Sequence, residues 1–267
     1  MENFFNRIKR LLPSKSEMRT ALSSFSTKER RVLVLLFCVL FVTTLTIVQN
    51  INKSFMVTVP LRGGSLNEGI VGTPRFINPV LALSDADKDL TSLVYSGLTR
   101  KYQSGQFIPD LAESYTVSKD GLSYTFVLKD KIYFHDGTPV TADDIIYTIN
   151  EIKDPLTKSP RKSNWDGITV QKIDEKTIEF NLKQPYESFL ENATVGILPA
   201  SIWKGTPIEL NDANTNPIGS GPYKVTGVSK QSSGIIDYYT LKEFNKFVLG
   251  TPYIKNLTLK FYPNEND

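Results

Sequence analysis

An uninterrupted apolar run near the N-terminus is the feature that most constrains this chain. Residues 32–48 read VLVLLFCVLFVTTLTIV, and no charged residue interrupts them. As a helix, the run would span about 25 Å, which approaches the thickness of the hydrocarbon core of a bilayer. Basic residues stand immediately before it, so the positive-inside rule predicts a cytoplasmic N-terminus and an exported body. The sequence therefore predicts one transmembrane helix over residues 32–48, in contact with membrane lipid.

Three kinds of export segment share this pattern. A cleaved signal peptide would have a shorter basic region and an A-x-A-like site after the apolar run. A lipoprotein signal would use Cys38, but Phe37 stands before it, where a small residue is expected. An uncleaved signal-anchor agrees best with the length and the flanking charges. We therefore expect a single-pass protein with a cytoplasmic basic tail over residues 1–31, the anchor over 32–48, a linker over 49–62 and a periplasmic or extracellular body.

The positive charge of the chain is confined to that tail. The whole chain has 31 Lys and Arg against 28 Asp and Glu, and residues 1–31 contain eight of the basic and three of the acidic residues. The remainder is therefore weakly acidic, and it lacks the basic surface that nucleic-acid binding requires. We expect no nucleic-acid partner, and we expect the tail to lie on the anionic inner leaflet.

The motifs of common catalytic and metal sites are absent from the sequence. One histidine and one cysteine cannot form a His/Cys zinc site or an internal disulfide. GSGPYK at residues 219–224 is neither a P-loop nor a dinucleotide-binding fingerprint. The aspartates of residues 85–89 imitate a calcium loop, but Leu90 stands where that loop requires glycine. We expect His135 to be a packed turn residue, and the chain to be a non-enzyme without metal or cofactor.

Hydrophobic periodicity predicts a mixed α/β body. Alternating apolar residues joined by tight turns predict hairpins, and the i, i+3, i+4 spacing predicts helices that begin at Ser84 and Thr141. The absence of regular βαβ alternation favours antiparallel pairing. The predicted strands are residues 65–71 after a turn at Gly63-Gly64, 114–118 with 123–129, 168–173 with 177–182, 223–228 with 235–241, and 257–261; a short helix is predicted to begin at Pro185.

Several motifs, taken in order, resemble one protein family. DLAES at residues 110–114, FHDGTP at 134–139, TADD at 141–144 and NPIGSGPY at 216–223 follow one another along the chain. Together they resemble the family 5 extracellular solute-binding proteins, the dipeptide- and oligopeptide-binding components of ABC importers. The resemblance runs from about Gly63 to the C-terminus. It implies a type II periplasmic-binding-protein fold, in which two lobes close on a ligand by a hinge motion.

The resemblance also implies a role for particular residues. Residues 63–267 would form the first lobe, with a mixed sheet and hairpins, and since family members are about twice as long, we expect the second lobe to be missing. The implied ligand is a peptide or another small solute, and the implied partners are ABC permease subunits. Leu83, Ser84 and Asp85 match the first-lobe segment that lines the cleft. Arg161 falls near a position where an aromatic residue contacts the ligand, and its guanidinium is suited to a carboxylate.

Two alternatives to a peptide-binding receptor stay open. The same fold could bind a nickel chelate, haem or a sugar. A lone lobe could also be a truncated, membrane-anchored interaction protein that binds no solute. For Arg161 the alternative is a solvated loop cation between Lys158 and Lys162.

Overall fold

The computed structural model describes residues 19–20, 23–55, 60–102 and 104–264. The chain forms two compact units, Met1–Pro60 and Leu61–Asp267, which are described separately. The helices are α1 (Thr27–Phe55), α2 (Asp85–Val94), α3 (Ala142–Lys153), α4 (Phe189–Asn192) and α5 (Ala200–Trp203). The strands are β1 (Gly63–Val71), β2 (Thr99–Lys101), β3 (Phe107–Pro109), β4 (Ala112–Val117), β5 (Ser123–Leu128), β6 (Ile168–Lys172), β7 (Thr177–Leu182), β8 (Tyr223–Lys230), β9 (Ile236–Glu243) and β10 (Ile254–Tyr262).

Helix α1 contains the whole apolar run and extends beyond it at both ends. Residues 49–55, which the sequence assigned to the linker, form about its last two turns. The stretch Thr27–Lys53 is long and apolar enough to cross a membrane, and its side chains are exposed. The hydroxyls of Thr43, Thr44 and Thr46 donate to carbonyls one turn earlier, so these polar groups are satisfied inside the helix. A helix in lipid requires such internal pairing.

The first sheet of the Leu61–Asp267 unit has the strand order β1-β10-β9-β8. β9 pairs antiparallel with both of its neighbours, whereas β1 and β10 pair in parallel, with Val71 opposite Tyr262. The predicted turn at Gly63-Gly64 is wrong, because both residues belong to β1. Their φ angles of 128° and 71° explain why glycine occupies both positions.

The second four-stranded sheet has the order β4-β5-β7-β6, and each pair is antiparallel. The two predicted hairpins of this sheet are confirmed, and Tyr124, Phe126 and Leu128 of β5 are buried as the alternation predicted. The rings of Phe126 and Phe180 meet edge to face with centroids 5.6 Å apart. Aromatic packing therefore joins neighbouring strands in the core beneath α3 and α4.

Helix α3 packs its Ile145, Ile149 and Ile152 into this core. Ile146, which the sequence also placed on the buried face, is only half-buried, and Thr148 is buried instead. The Thr148 hydroxyl donates to the Asp144 carbonyl at 2.8 Å and accepts from the Leu198 amide at 2.9 Å. A threonine can take this core position because both hydrogen-bonding capacities of its hydroxyl are used.

The two predicted helix starts are confirmed, and each has an aspartate in its first turn that reaches back. In α2, the backbone amide of Asp87 donates a hydrogen bond to the Ser84 hydroxyl at 3.1 Å. In α3, the Asp144 carboxylate accepts from the amide and the hydroxyl of Thr141, at 2.8 and 2.7 Å. The other Asp144 oxygen accepts from the Ala200 amide at 2.8 Å, so one side chain caps α3 and positions α5.

The short helix predicted from Pro185 begins later than expected. Helix α4 starts at Phe189, after an N-cap at Ser188. The φ angle of proline suits a turn as well as the first residue of a helix. Pro185 therefore indicates that a helix is near but does not show at which residue it begins.

Candidate functional site

The first predicted site segment follows a tight turn at Asn78. This buried side chain accepts from the Val80 amide at 2.8 Å and donates to the Asn214 side chain at 3.2 Å. The amides of Leu81 and Ala82 both donate to the Asn78 carbonyl. The turn is therefore fixed from within the core, and it delivers the next residues to the surface.

Residues 83–85 are exposed at the start of α2: Leu83 precedes the helix, Ser84 is its extended N-cap and Asp85 is its first residue. Leu83 is 69% exposed, and Ser84 has φ −71° and ψ 159°. Among the described residues, the amide and carbonyl of Leu83 and the amide of Asp85 have no hydrogen-bond partner. Unpaired backbone groups in extended geometry are what a peptide needs to add itself as a strand.

The side chains of this segment have other partners. The Ser84 hydroxyl donates to the Asp87 carboxylate at 2.7 Å, so it belongs to the helix cap. Asp85 is exposed and pairs with Lys88 at 3.4 Å, a surface contact of small energetic value. The groups that residues 83–85 offer to a ligand are therefore backbone groups, with the Leu83 side chain beside them.

Arg161 is attached to the same part of the unit through Ser159. The buried Ser159 hydroxyl donates to the Val80 carbonyl at 2.6 Å and accepts from the Arg161 amide at 3.2 Å. Val80 and Ser159 are 79 residues apart in the chain. The structure thus links the loop that precedes residues 83–85 to the loop that carries Arg161. Within its described residues, however, Arg161 shares no hydrogen bond or ion pair with Ser84 or Asp85.

Arg161 is only partly solvated. Its Nε is buried and has no hydrogen-bond partner among the described residues, and burial lowers the pKa of the guanidinium. Arginine stays charged even so, and its buried Nε–H lacks the hydrogen bond that a buried donor normally makes. The solvated alternative describes the exposed Lys158 better than Arg161. Arg161 therefore has a buried N–H donor that no described residue uses.

His135 of the FHDGTP motif has a structural position. Its Nε2 donates to the Gly221 carbonyl at 3.1 Å, its Nδ1 accepts from the Gly219 amide at 3.3 Å, and its own amide donates to the Gly219 carbonyl at 2.8 Å. The ring packs edge-on against Phe244, and desolvation lowers its pKa to about 4. A neutral imidazole therefore joins two sequence motifs, as the packed role predicted for it requires.

Sequence reasoning missed Ser159 and Asn214, which hold the site segments in place. An isolated serine or asparagine in a loop carries no local signal of a partner far along the chain. Within the described ranges, no group of three or more His, Cys, Asp and Glu side chains is close enough to hold a metal ion.

Residues 106–267 match the family model of the bacterial extracellular solute-binding proteins, family 5 Middle. The chain is 32% identical over 214 residues to the oligopeptide-binding protein AppA of Bacillus subtilis, covering 78% of this chain and 38% of AppA. It is 30% identical over 192 residues to the glutathione-binding protein GsiB of Escherichia coli, covering 68% of this chain and 36% of GsiB.

Solved structures of solute-binding proteins also resemble this chain in fold. AppA from Bacillus subtilis in complex with a nonapeptide superposes with a TM-score of 0.71 at 32% identity, over 78% of this chain and 42% of that one. The ABC transporter substrate binding protein CtaP from Listeria monocytogenes superposes with a TM-score of 0.68 at 35% identity, over 77% of this chain and 42% of CtaP. NikZ from Campylobacter jejuni in complex with Ni(L-His) superposes with a TM-score of 0.67 at 31% identity, over 74% of this chain and 39% of NikZ. The chain thus spans between 36% and 42% of the length of these relatives.

Proposed function

Because this chain belongs to the bacterial extracellular solute-binding proteins of family 5, we propose that it is the peptide-binding component of an ABC import system. Two of its relatives are named for an oligopeptide and for glutathione, itself a peptide. Permease subunits in the membrane would be its partners. We infer a binding role rather than a catalytic one, in keeping with a solute-binding family.

The observation that carries this proposal is the exposed segment of residues 83–85 at the start of α2. Its free backbone groups would hydrogen-bond to the backbone of a peptide, which every peptide possesses regardless of its side chains. Arg161, held nearby through Ser159, would supply a cation for a carboxylate of the ligand. Leu83, Ser84, Asp85 and Arg161 are thus the proposed ligand-facing residues, with Ser84 and Asp85 acting through their backbone groups.

Replacing Asp85 by proline tests the backbone groups selectively. Asp85 is the first helical residue, where proline is well tolerated, and Ser84 already has the extended backbone that a residue before proline requires. Asp85→Pro therefore removes one amide and leaves the fold intact. In a transport system that also supplies the second lobe, we expect peptide uptake by cells carrying this variant to fall about tenfold, since a binding donor is lost.

Asp85→Ala is the matched control, because it removes the carboxylate and keeps the amide. Its uptake should equal that of the wild type, and both variants should melt at the wild-type temperature. Full peptide uptake by Asp85→Pro would show that residues 83–85 do not bind the ligand. Uptake of nickel–histidine without uptake of peptides would overturn the choice of ligand, and it would favour a ligand like the Ni(L-His) bound in the NikZ structure.

We further propose that α1 anchors the protein, with residues 1–31 in the cytoplasm and the Leu61–Asp267 unit on the extracytoplasmic side. The length and apolar composition of Thr27–Lys53 support this arrangement. So do the basic residues Lys28, Arg30 and Arg31, which precede the apolar run.

A further inference from the structure

A cavity of about 570 Å³ lies at one end of the strands of the first sheet. β1, β8 and β10 run in the same direction, and their carboxyl ends lie there, where Val71 pairs with Tyr262 and Lys230 pairs with Ile236. The loop of residues 73–76 and the turn between β8 and β9 form its walls. Open sheets commonly bind ligands beyond the carboxyl ends of their strands.

The charged residues that line this cavity are all basic. Arg75 and Lys230 line it, and no acidic residue from the described ranges does so. Neither cation has an ion-pair partner within the described part of the chain. The Arg75 guanidinium lies over the ring of Phe76 at 5.7 Å, and Ile235 and Ile236 add apolar surface. The cavity thus combines unpaired positive charge with an apolar wall.

A buried carboxylate fixes the wall that carries Arg75. One oxygen of Asp87 accepts from the amides of Arg75 and Phe76, at 2.7 and 2.9 Å. The other oxygen accepts from the Ser84 hydroxyl at 2.7 Å. The loop is therefore held in place before any ligand arrives, which lowers the entropic cost of binding.

We propose that this cavity binds an anionic group, a carboxylate or a phosphate, carried by a small molecule with an apolar or aromatic portion. Arg75 would donate to the anion from its guanidinium, and Lys230 would add a second positive charge from the hairpin. Phe76 and Ile236 would pack against the apolar portion. The volume is within the range of about 300–1,000 Å³ that is common for small-molecule sites. The site is additional to the backbone segment of residues 83–85.

Calorimetric titration of the full chain in detergent micelles tests this proposal. The probes are N-acetylphenylalanine, which carries a carboxylate, phenyl phosphate, and the neutral N-acetylphenylalanine amide. Both anions should bind saturably, and the neutral amide at least tenfold more weakly; the stronger of the two anions identifies the preferred group. Arg75→Gln and Lys230→Gln should each weaken anion binding at least fivefold. Lys242→Gln, an exposed lysine outside the cavity, should leave it unchanged.

Two results would overturn the proposal. One is equal anion affinity in the wild type and in the Arg75→Gln/Lys230→Gln double variant, with both proteins melting normally. The other is the absence of saturable binding by the folded wild type. Asp85→Pro, which tests the peptide segment, should not change the anion affinity, so failure of the peptide proposal and failure of this one remain distinguishable.

Discussion

At the scale of single residues, the position of His135 makes the stability of the fold depend on pH. Its pKa is lowered to about 4 in the folded chain, from 6.5 for an unperturbed histidine. Between these values the unfolded chain binds a proton that the folded chain does not, so stability falls as the pH decreases from about 6.5 to 4. A shift of this size corresponds to at most about 3 kcal/mol.

Urea unfolding at several pH values measures this contribution. His135 is the only histidine of the chain, so His135→Gln removes all histidine titration. We expect the variant to be less stable than the wild type at pH 7.5, because the hydrogen bonds to Gly219 and Gly221 change. Its stability should also depend less on pH between 6.5 and 4. Equal slopes for the two proteins would contradict the assigned pKa.

Gly219 shows why the GSGPYK motif is rich in glycine. A Cβ at this position would lie 2.1 Å from the Val94 carbonyl oxygen, which is backbone and cannot rotate away. We therefore expect Gly219→Ala to lower the free energy of unfolding by about 3 kcal/mol, measured by urea titration. Gly69→Ala is the control, since its Cβ would meet only the Tyr262 side chain at 3.0 Å. Equal costs for both would show that the close approach is not what requires glycine.

At the scale of elements, the proposed role of α1 as a membrane anchor can be tested by cell fractionation. Thr27–Lys53 is long enough to span a bilayer and carries an exposed apolar surface. We expect the full chain to stay in the membrane pellet after salt and carbonate washes, because extraction would expose that surface to water. A chain that begins at Leu61 should appear in the supernatant. Mature protein with an N-terminus after residue 50 would show that the segment is cleaved.

At the scale of the whole molecule, the exposed site limits what Leu61–Asp267 can bind alone. A peptide lying on residues 83–85 would keep much of its surface in water, whereas small-molecule sites normally bury most of the ligand. We expect weak or undetectable binding of di- to pentapeptides by this unit in calorimetry. Circular dichroism should show it folded, since it forms a compact unit of its own. Micromolar affinity would show that this unit alone encloses its ligand.

The sequence by itself determined the features that depend on neighbouring residues. The apolar run, the three hairpins and the capped starts of α2 and α3 follow from patterns a few residues long, because helix caps and strand alternation act over that distance. Ordered short motifs were also enough to indicate the family. Element ends were harder to predict. Helix α4 begins later than Pro185 because proline also occurs in turns, and α1 continues two turns beyond the apolar run because a helix does not require apolar residues.

Only the tertiary structure decided which distant residues meet. The parallel pairing of β1 with β10, the attachment of Ser159 to Val80 and the bridge from Asp87 to Arg75 join segments that share no local pattern. Burial selects these contacts, because a polar group removed from water must find a partner wherever the packed chain supplies one. The sequence proposed Leu83, Ser84, Asp85 and Arg161 as site residues, but the contacts that hold their segments, through Ser159 and Asn214, became visible only in the tertiary structure.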